Sequence, residues 1–405
     1  MRSTSCKKIA EELLRRCIAG DVPSTLPRAL AEDPCGTALF GIFVEGLADR
    51  FEPSLSTAYS RLFSQAVALR AQGVDPEDLV AHYQRARWTR PVSGKPHRVF
   101  VLSRVTLGAD VAVTSVMLAA AKKRFPHASI VFVGPHKNYE LFAADPHIHH
   151  ADVTYRRGSL RERLDVWDEL KHLLDTPDSV VIDPDSRLTQ LGLLPVCPEE
   201  RYHLFESRVY GGEGDGSLPE LAAAWCAETL GVVGAKPYVA LGRKPRRGPY
   251  IAVNLGVGEN PAKRLPEPFE EELFRVLAEI RMPLCVDRGA GGEESERVAR
   301  AAERSGVKAT FWEGSFAGFA SIIAGSRLYV GYDSAGQHVA AACGIPLISI
   351  FAGFPTPRMF QRWRPTGTHC NVIRVDNPDP HETLARVKEA LAAQTQSPAQ
   401  VSAVT

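Results

Sequence analysis

The chain has 405 residues, of which 44% are hydrophobic and 23% are charged, and its formal net charge is +1. That length predicts two domains plus an extension, and the balanced charge excludes an overall basic field, so we expect no nucleic-acid partner. No apolar stretch approaches the roughly 20 residues that span a bilayer, and the amino-terminal residues lack the apolar centre of a signal peptide. We therefore expect a cytoplasmic protein, with peripheral contact to the inner membrane left open.

Residues 1–95 are predicted to form a small helical extension. Apolar residues recur at helical spacing in "CKKIAEELLRRCIAG" and "STAYSRLFSQAVALRAQG", with charged residues elsewhere. A third helix is predicted in "DPEDLVAHYQRAR", with Asp75 as its N-cap and Pro76 as its first residue. The sequence leaves the partner of this extension unknown. Residues 89–97, rich in proline and glycine, are the predicted linker.

In residues 96–245 the pattern changes to apolar, β-branched runs that alternate with amphipathic segments. This alternation predicts right-handed βαβ units and a parallel sheet. The predicted strands are "RVFVLSR", "SIVFVG", "ADVTYRR" and "SVVIDPD". The predicted helices between them are "TSVMLAAAKKRFP", "KNYELFA" and "SLRERLDVWDELKHLLD". Residues 185–245 are less regular.

A second α/β unit is predicted in residues 246–392, after a basic linker at 242–249. Its predicted strands are "YIAVNLG", "PLCVDRG", "KATFWEG", "RLYVGY", "PLISIF" and "CNVIRV". Two such units would leave a cleft at the carboxyl ends of their strands, where open α/β sheets usually bind ligands. The polar residues 393–405 are predicted to form a disordered tail.

Cysteine and histidine spacing gives no sign of a metal centre. The eight cysteines form no CxxC pair and match no zinc-finger spacing, which predicts scattered, reduced thiols. His147, His149 and His150 fall in a predicted loop that leads into a strand, where solvated side chains are favoured over a metal site. We therefore predict no metal and no cofactor.

The segment "RLYVGYDSAGQHVAAACGIPLISIF" places polar residues where a predicted strand becomes a helix. Asp333 follows the strand, and Ser334 and Gly336 open the helix. A helix start exposes unpaired backbone N–H groups and a partial positive charge, which together favour an anion. The alternative is purely structural, with Asp333 as the N-cap and Gly344 as the C-cap of the helix.

This segment resembles the signature of glycosyltransferase family 9, the bacterial ADP-heptose:lipopolysaccharide heptosyltransferases. The family motif reads roughly D-S-G-x-x-H-x-A-A-x-G-x-P, followed by an apolar strand, F-G and W-x-P. The chain matches it at Asp333, Ser334, His338, Ala340, Ala341, Gly344, Pro346, Phe351, Gly353, Trp363 and Pro365. It departs from the motif at Ala335, Gly336 and Ala352.

Two further landmarks extend the resemblance over roughly residues 97–390. The first unit follows the family pattern at Arg104, Gly108, Asp110 and Thr114, with Ala109 inserted before the acid. In the second unit, family members carry a loop with a basic residue that meets the donor phosphates. The corresponding segment here, "NLGVGENPAKRLPEPF", contains Asn254, Gly256, Lys263 and Arg264.

The resemblance implies the GT-B architecture, an α/β fold in which two Rossmann-like domains face a cleft. The first domain would bind the acceptor and the second the sugar nucleotide. Inversion at the anomeric carbon then needs a general base for the acceptor hydroxyl and a way to stabilise the leaving diphosphate. We expect Asp110 to be the base, and the alternative is that Asp110 is only a helix N-cap.

Donor binding is expected in the second unit. Lys263 is the first candidate for a phosphate contact and Arg264 the second, against the alternative of a solvated surface lysine. Asp333 would accept hydrogen bonds from sugar hydroxyls, and His338 would either donate to a phosphate or pack in the core. The other donor-side candidates are Ser334, Ala335, Gly336, Asn254, Gly314 and Ser315. The acceptor-side candidates are Arg104, Thr114 and Arg187.

The leading hypothesis is an inverting, metal-independent glycosyltransferase that uses a nucleotide-diphosphate sugar. Heptose is the sugar that the resemblance suggests, and the acceptor is a glycan, a lipid-linked molecule or a protein. The alternative is a non-catalytic sugar-nucleotide-binding or scaffold protein with a GT-B fold, since the altered motif positions would fit a lost active site. A third hypothesis is another GT-B enzyme such as a sugar-nucleotide epimerase, which would need further acids and a histidine.

Overall fold

The computed structural model describes residues 2–242, 248–258, 260–289 and 291–396. Most of the predicted linker at 242–249 and most of the predicted tail at 393–405 therefore lie outside the described residues. The chain divides into two compact units. The first unit comprises Met1–Ala240 and Pro355–Trp363, and the second comprises Leu241–Phe354 and Arg364–Thr405.

The amino-terminal part of the first unit is helical, as predicted. Its α-helices are α1 (Arg2–Ile18), α2 (Arg28–Ala31), α3 (Glu45–Ala48), α4 (Pro53–Ala68) and α5 (Pro76–Ala86). Asp75 caps α5 by accepting a hydrogen bond from the Glu77 N–H, and Pro76 is the first helical residue, which confirms the predicted start. The sequence pattern missed a π-helix at Thr37–Val44, which begins after Gly36 at a φ of 68°.

These helices share one hydrophobic core with the sheet of the first unit. A single cluster of contacting buried side chains includes Ala10 of α1 and extends to Leu204. A buried hydrogen bond of 2.7 Å from the Tyr59 hydroxyl to the Gln190 carbonyl joins α4 to the segment that follows the strand Ser179–Asp183. The helical extension is therefore packed into the first unit rather than attached to it by a linker alone.

The first sheet has five parallel strands in the order β3-β2-β1-β4-β5. The strands are β1 (Arg98–Leu102), β2 (Ser129–Gly134), β3 (Ile148–Asp152), β4 (Ser179–Asp183) and β5 (Tyr202–Leu204). The accompanying helices are α6 (Leu107–Ala109), α7 (Ser115–Arg124), α8 (His136–Tyr139), α9 (Leu160–Leu164), α10 (Val166–Leu174) and α11 (Leu218–Leu230).

Three predictions for the first unit need correction. The third strand lies at Ile148–Asp152, earlier than the predicted "ADVTYRR", so His149 and His150 belong to the strand and not to a loop. The predicted helix over 159–175 is two helices, α9 and α10, that meet at Asp165. The helix after β1 was predicted to begin at Thr114 but begins at Leu107. It passes through a π-helix at Asp110–Thr114, so Asp110 is already in helical conformation.

The second sheet has six parallel strands in the order β11-β10-β9-β6-β7-β8. The strands are β6 (Ile251–Asn254), β7 (Leu284–Asp287), β8 (Ala309–Trp312), β9 (Leu328–Tyr332), β10 (Leu347–Phe351) and β11 (Cys370–Arg374), and each confirms a predicted strand. The α-helices are α12 (Phe269–Ala278), α13 (Gly292–Ser305), α14 (Phe316–Gly325), α15 (Ala335–Ala342), α16 (Pro357–Trp363) and α17 (Pro380–Gln396). Of these, α16 belongs to the first unit.

Both sheets reverse their strand order next to their first strand, as doubly wound folds do. In the first sheet the reversal falls between β1 and β4, and in the second it falls between β6 and β9. Ligands of open α/β sheets usually bind at the carboxyl ends of these two strands. Within the described part of the chain, no helix is both long enough and apolar enough to cross a membrane.

Candidate active site

The carboxyl ends of β6 and β9 bring the donor-side candidates together. Asn254 is the last residue of β6 and pairs in register with Gly331 of β9, two residues before Asp333. Residues 255–258 leave β6, and residues 260–265 lead to Lys263, Arg264 and Leu265, in front of α12. We call residues 255–265 the lysine loop. The Lys263 side chain of this loop bonds Asp333, so Lys263 lies at the same edge of the sheet.

Lys263 and Asp333 form a close ion pair. The Lys263 Nζ lies 2.6 Å from the Asp333 Oδ2 and 3.3 Å from the Asp333 carbonyl oxygen. The lysine side chain is 20% exposed and that of the aspartate 6%. Lys263 is thus a cation held at the switch point of the sheet with part of its side chain open to solvent.

The second oxygen of Asp333 is also occupied. The Gln337 amide donates to the Asp333 Oδ1, and the Ser349 hydroxyl donates to the Gln337 Oε1. Gln337 and Ser349 are both fully buried, so the aspartate is fixed from behind by α15 and β10. Asp333 therefore orients Lys263, a role that the sequence did not predict.

His338 lies next to this network as a buried side chain. Its Nε2 is 3.3 Å from the Gln337 Nε2, and the residue is 5% exposed. Burial lowers the pKa of His338 to about 4, against a smaller opposing effect of the Asp333 carboxylate. The imidazole is neutral at pH 7, so it offers a dipole rather than a charge to any neighbouring group.

The start of α15 has the geometry of an anion site. Ser334 is the N-cap in extended conformation, and its side chain makes no capping hydrogen bond. The Ser334 hydroxyl donates instead to the Asn254 Oδ1 at 3.3 Å, so the first N–H groups of the helix, including those of Ala335 and Gly336, are left without a side-chain cap. The alternative that Asp333 is the N-cap is wrong.

Gly336 has a packing reason inside the unit. A Cβ at Gly336 would lie 2.4 Å from the Tyr329 hydroxyl oxygen, and one at Gly331 would lie 2.6 Å from the same atom. The structure shows that the group approaching Gly336 is Tyr329.

Arg264 turns away from Asp333. Its guanidinium lies 3.5 Å from Glu270 and 3.6 Å from Glu267, on the α12 side of the lysine loop. Of the two basic candidates, only Lys263 reaches the carboxyl end of β9.

The remaining donor-side candidates extend along the same edge of the sheet. The Asn254 amide donates to Asp287 at the end of β7, at 2.9 Å. Burial raises the pKa of Asp287 to about 6, which makes it a carboxyl group poised near neutrality that the sequence did not single out. Ser315 caps α14 by accepting from the Gly318 N–H, and a Cβ at Gly314 would lie 2.6 Å from the Trp312 ring.

In the first unit, Asp110 is completely buried and bonded on every side. Its Oδ1 accepts from the Arg104 N–H and the Thr114 hydroxyl, and its Oδ2 accepts from the Ser103 hydroxyl and the Asn138 amide. A carboxylate has about four lone-pair positions, so these donors fill its capacity. Burial raises the pKa of Asp110, against the lowering effect of these hydrogen bonds. It is not the N-cap of its helix, since Thr106 occupies that position.

The acceptor-side candidates separate into three environments. Thr114 is fully buried and serves Asp110. Arg104 donates to the Pro184 carbonyl at 2.6 Å, and its guanidinium lies 5.6 Å from the centre of the Trp363 ring. Arg187 pairs with Glu45 of the helical extension at 3.2 Å. The extension thus contributes a charged side chain at the carboxyl end of the first sheet.

Among the residues described, no three histidine, cysteine, aspartate or glutamate side chains come together in a group that could hold a metal ion. His150 instead stacks on Tyr139, with ring centres 4.3 Å apart, and its Nε2 lies 2.8 Å from the Gly134 carbonyl oxygen.

Two doubly wound parallel sheets in one chain are the architecture of the GT-B fold. Residues 234–390 match the model of glycosyltransferase family 9 (heptosyltransferase). This match confirms, for residues 234–390, the resemblance of the sequence to that family. A search of curated proteins gave no match.

Solved structures share the fold over most of their length. E. coli heptosyltransferase WaaC with ADP-2-deoxy-2-fluoro heptose is 18% identical with a TM-score of 0.56, covering 74% of this chain and 99% of that one. A family 9 glycosyl transferase from Veillonella parvula is 14% identical with a TM-score of 0.55, covering 76% and 98%. E. coli ADP-heptose lps heptosyltransferase II is 17% identical with a TM-score of 0.51, covering 74% and 99%. At these identities the likeness establishes the predicted fold class and leaves the substrates open.

Proposed function

We propose that this protein moves a sugar from a nucleotide-diphosphate donor to an acceptor hydroxyl, with inversion and without a metal. The observation that carries the proposal is the pair of Lys263 and Asp333 beside the uncapped start of α15. ADP-heptose is the first donor to test, because solved structures of E. coli WaaC contain ADP or ADP-2-deoxy-2-fluoro heptose. The acceptor remains a glycan, a lipid-linked molecule or a protein.

The donor diphosphate would bind between Lys263 and the N–H groups of Ala335 and Gly336. Charge-assisted hydrogen bonds to phosphate are about twice as strong as neutral ones, and a helix start adds a partial positive charge. Lys263 is already extended toward this place by Asp333, so little side-chain freedom is lost when a phosphate replaces or joins the carboxylate.

The reaction is a single displacement. The acceptor oxygen forms a bond to the anomeric carbon while the bond from that carbon to the phosphate oxygen breaks, and the electron pair leaves with the diphosphate. The charge that develops on the leaving group is stabilised by Lys263 and the start of α15. The acceptor proton passes to a carboxylate, for which Asp110 is our candidate.

A second candidate function is sugar-nucleotide binding without transfer. The specific observation in its favour is Asp110, whose two oxygens already accept four hydrogen bonds inside the protein. A base in that state must lose one partner before it takes a proton. Binding of ADP-heptose without release of ADP in the presence of acceptors would support this alternative.

The test uses the full chain and compares Lys263→Ala with Lys308→Ala, which removes an exposed lysine of the same unit. Loss of a hydrogen bond to a charged group costs about 1.5–3 kcal/mol, so the affinity of Lys263→Ala for ADP should fall about 10- to 100-fold. Calorimetric titration with ADP measures it, and ADP release from ADP-heptose measures turnover. Equal ADP affinity of the two variants would refute the proposed donor site.

A further inference from the structure

The lysine loop rests on a small cluster of buried polar residues that do not reach the candidate donor site. This buried cluster consists of Glu270 at the start of α12, Arg297 of α13 and Tyr332 at the end of β9. Glu270 is 6% exposed, Arg297 9% and Tyr332 0%. Three different elements of the second unit thus send polar groups to one point beneath the loop.

Glu270 is the centre of this buried cluster. Arg297 donates to the Glu270 Oε1, and the Tyr332 hydroxyl donates to the same oxygen at 3.2 Å. Burial raises the pKa of Glu270, with Arg297 and Arg264 opposing that effect. A buried ion pair is often no more stabilising than apolar residues of the same size, so stability alone is a weak reason for this one.

The buried cluster holds both ends of the lysine loop. At the first end, the Arg297 Nη2 donates to the Leu255 carbonyl at 2.8 Å. At the last end, the Leu265 N–H donates to the Tyr332 hydroxyl at 3.4 Å. The Tyr332 hydroxyl therefore accepts from the loop and donates to Glu270, which connects the two ends through a single carboxylate.

Tyr332 also directly precedes Asp333. The buried cluster therefore positions the backbone on both sides of the ion pair, because Lys263 lies two residues before Leu265 and Asp333 follows Tyr332. We propose that Glu270, Arg297 and Tyr332 are positioning residues that set Lys263 against Asp333 for a nucleotide diphosphate, without touching the nucleotide. The ligand part of this inference rests on the proposed function.

The test removes one hydroxyl group. Tyr332→Phe keeps the ring, whose centre lies 6.3 Å from that of Phe269, and loses the bonds to Glu270 and Leu265. The matched control is Tyr250→Phe, which removes a 2.8 Å hydrogen bond to the Ile322 carbonyl elsewhere in the same unit. If Tyr332→Phe does not fold, Glu270→Gln serves as the second variant, since it keeps an acceptor and removes the charge.

Two measurements decide the inference. Hydrogen exchange of the amides in residues 255–265 should speed up at least several-fold in Tyr332→Phe and stay unchanged in Tyr250→Phe. The affinity for ADP should fall about 3- to 10-fold in Tyr332→Phe, and the same substitution should change little in a Lys263→Ala background, because coupled residues are not additive.

The outcomes separate this inference from the proposed function. Unchanged exchange in the lysine loop overturns the positioning role, whatever happens to ADP. Faster exchange with equal losses of ADP affinity in both backgrounds overturns the claim that the buried cluster acts through Lys263. If the wild type does not bind ADP but exchange in the lysine loop is faster in Tyr332→Phe, the buried cluster still holds the loop, and ADP is refuted as part of the donor.

Discussion

Gly353 offers the sharpest test of how the lysine loop is held. Its φ is 69°, and a Cβ there would lie 2.4 Å from the Ala262 carbonyl oxygen and 2.7 Å from the Lys263 nitrogen. These are backbone atoms, so they cannot swing aside as a side chain would. In Gly353→Ala the peptide that carries Lys263 must move by about 1 Å to reach ordinary contact distance, and a displacement of that size can cost on the order of 100-fold in function.

Gly344→Ala is the matched control. Gly344 has a φ of 65°, but a Cβ there meets nothing within 4 Å. A left-handed conformation costs a non-glycine residue roughly 1–2 kcal/mol, so both variants should lose that much stability. Only Gly353→Ala should also move Lys263 away from the 2.6 Å contact with Asp333.

The assay is the affinity for ADP at a temperature where both variants are folded, measured by calorimetric titration. We expect Gly353→Ala to bind ADP about 10- to 100-fold more weakly than Gly344→Ala. Adding Gly353→Ala to Lys263→Ala should have little further effect. Equal affinities of the two glycine variants would show that the close contact with Ala262 does not set the lysine, and the reasoning would fail.

Three further predictions concern stability. The pKa of His338 is about 4 in the folded protein against an ordinary value of 6.5, so the unfolded chain takes the proton first as the pH drops. The free energy of unfolding should therefore fall between these two values by up to about 1.4 kcal/mol per pH unit. Urea titrations between pH 7 and 4 should show a smaller dependence of that free energy on pH in His338→Gln than in the wild type, and an equal dependence would contradict the prediction. Asp110→Asn should cost about 2–4 kcal/mol, because two buried donors would face an amide nitrogen instead of an oxygen, and a thermal melt within 1 °C of wild type, well below the shift that such a loss implies, would refute the four-donor arrangement. Tyr59→Phe should cost about 0.5–1.5 kcal/mol, because the Gln190 carbonyl loses the Tyr59 hydroxyl and keeps only the Leu193 N–H as a donor. No change in the urea midpoint would show that this bond does not join the helical extension to the sheet.

The sequence missed β5 and misplaced β3, but it predicted the other strands, because most of them are buried on both faces. Such strands read as continuous apolar runs, and "LISIF" and "SIVFVG" are typical of them. The third strand was misplaced because it lacks that burial: β3 is an edge strand that includes His149 and His150 and is only partly buried. Polar residues in an edge strand carry the pattern of a loop, and only the pairing with β2 distinguishes the two.

The site could be predicted only as far as local patterns reach. Asp333 and Ser334 were found because a strand, an acid and a helix start lie next to one another in the sequence. Gln337 and Glu270 were missed because their roles come from contacts between separate elements: Gln337 matters through Ser349 of β10, and Glu270 through Arg297 of α13. No spacing rule relates residues whose separation is set by the packing of a whole sheet.

The motif residues themselves acquire a common physical meaning from the structure. Asp333 holds Lys263, and Gly353 lies against the peptide that carries Lys263. Each of these contacts stays within the second unit, and each would be lost if the lysine loop or the start of α15 moved by an ångström. These motif residues therefore hold the lysine loop against the start of α15, and they need not contact a ligand themselves. A cation fixed in this way needs little rearrangement when an anion arrives, and that preorganisation is what a charged leaving group requires.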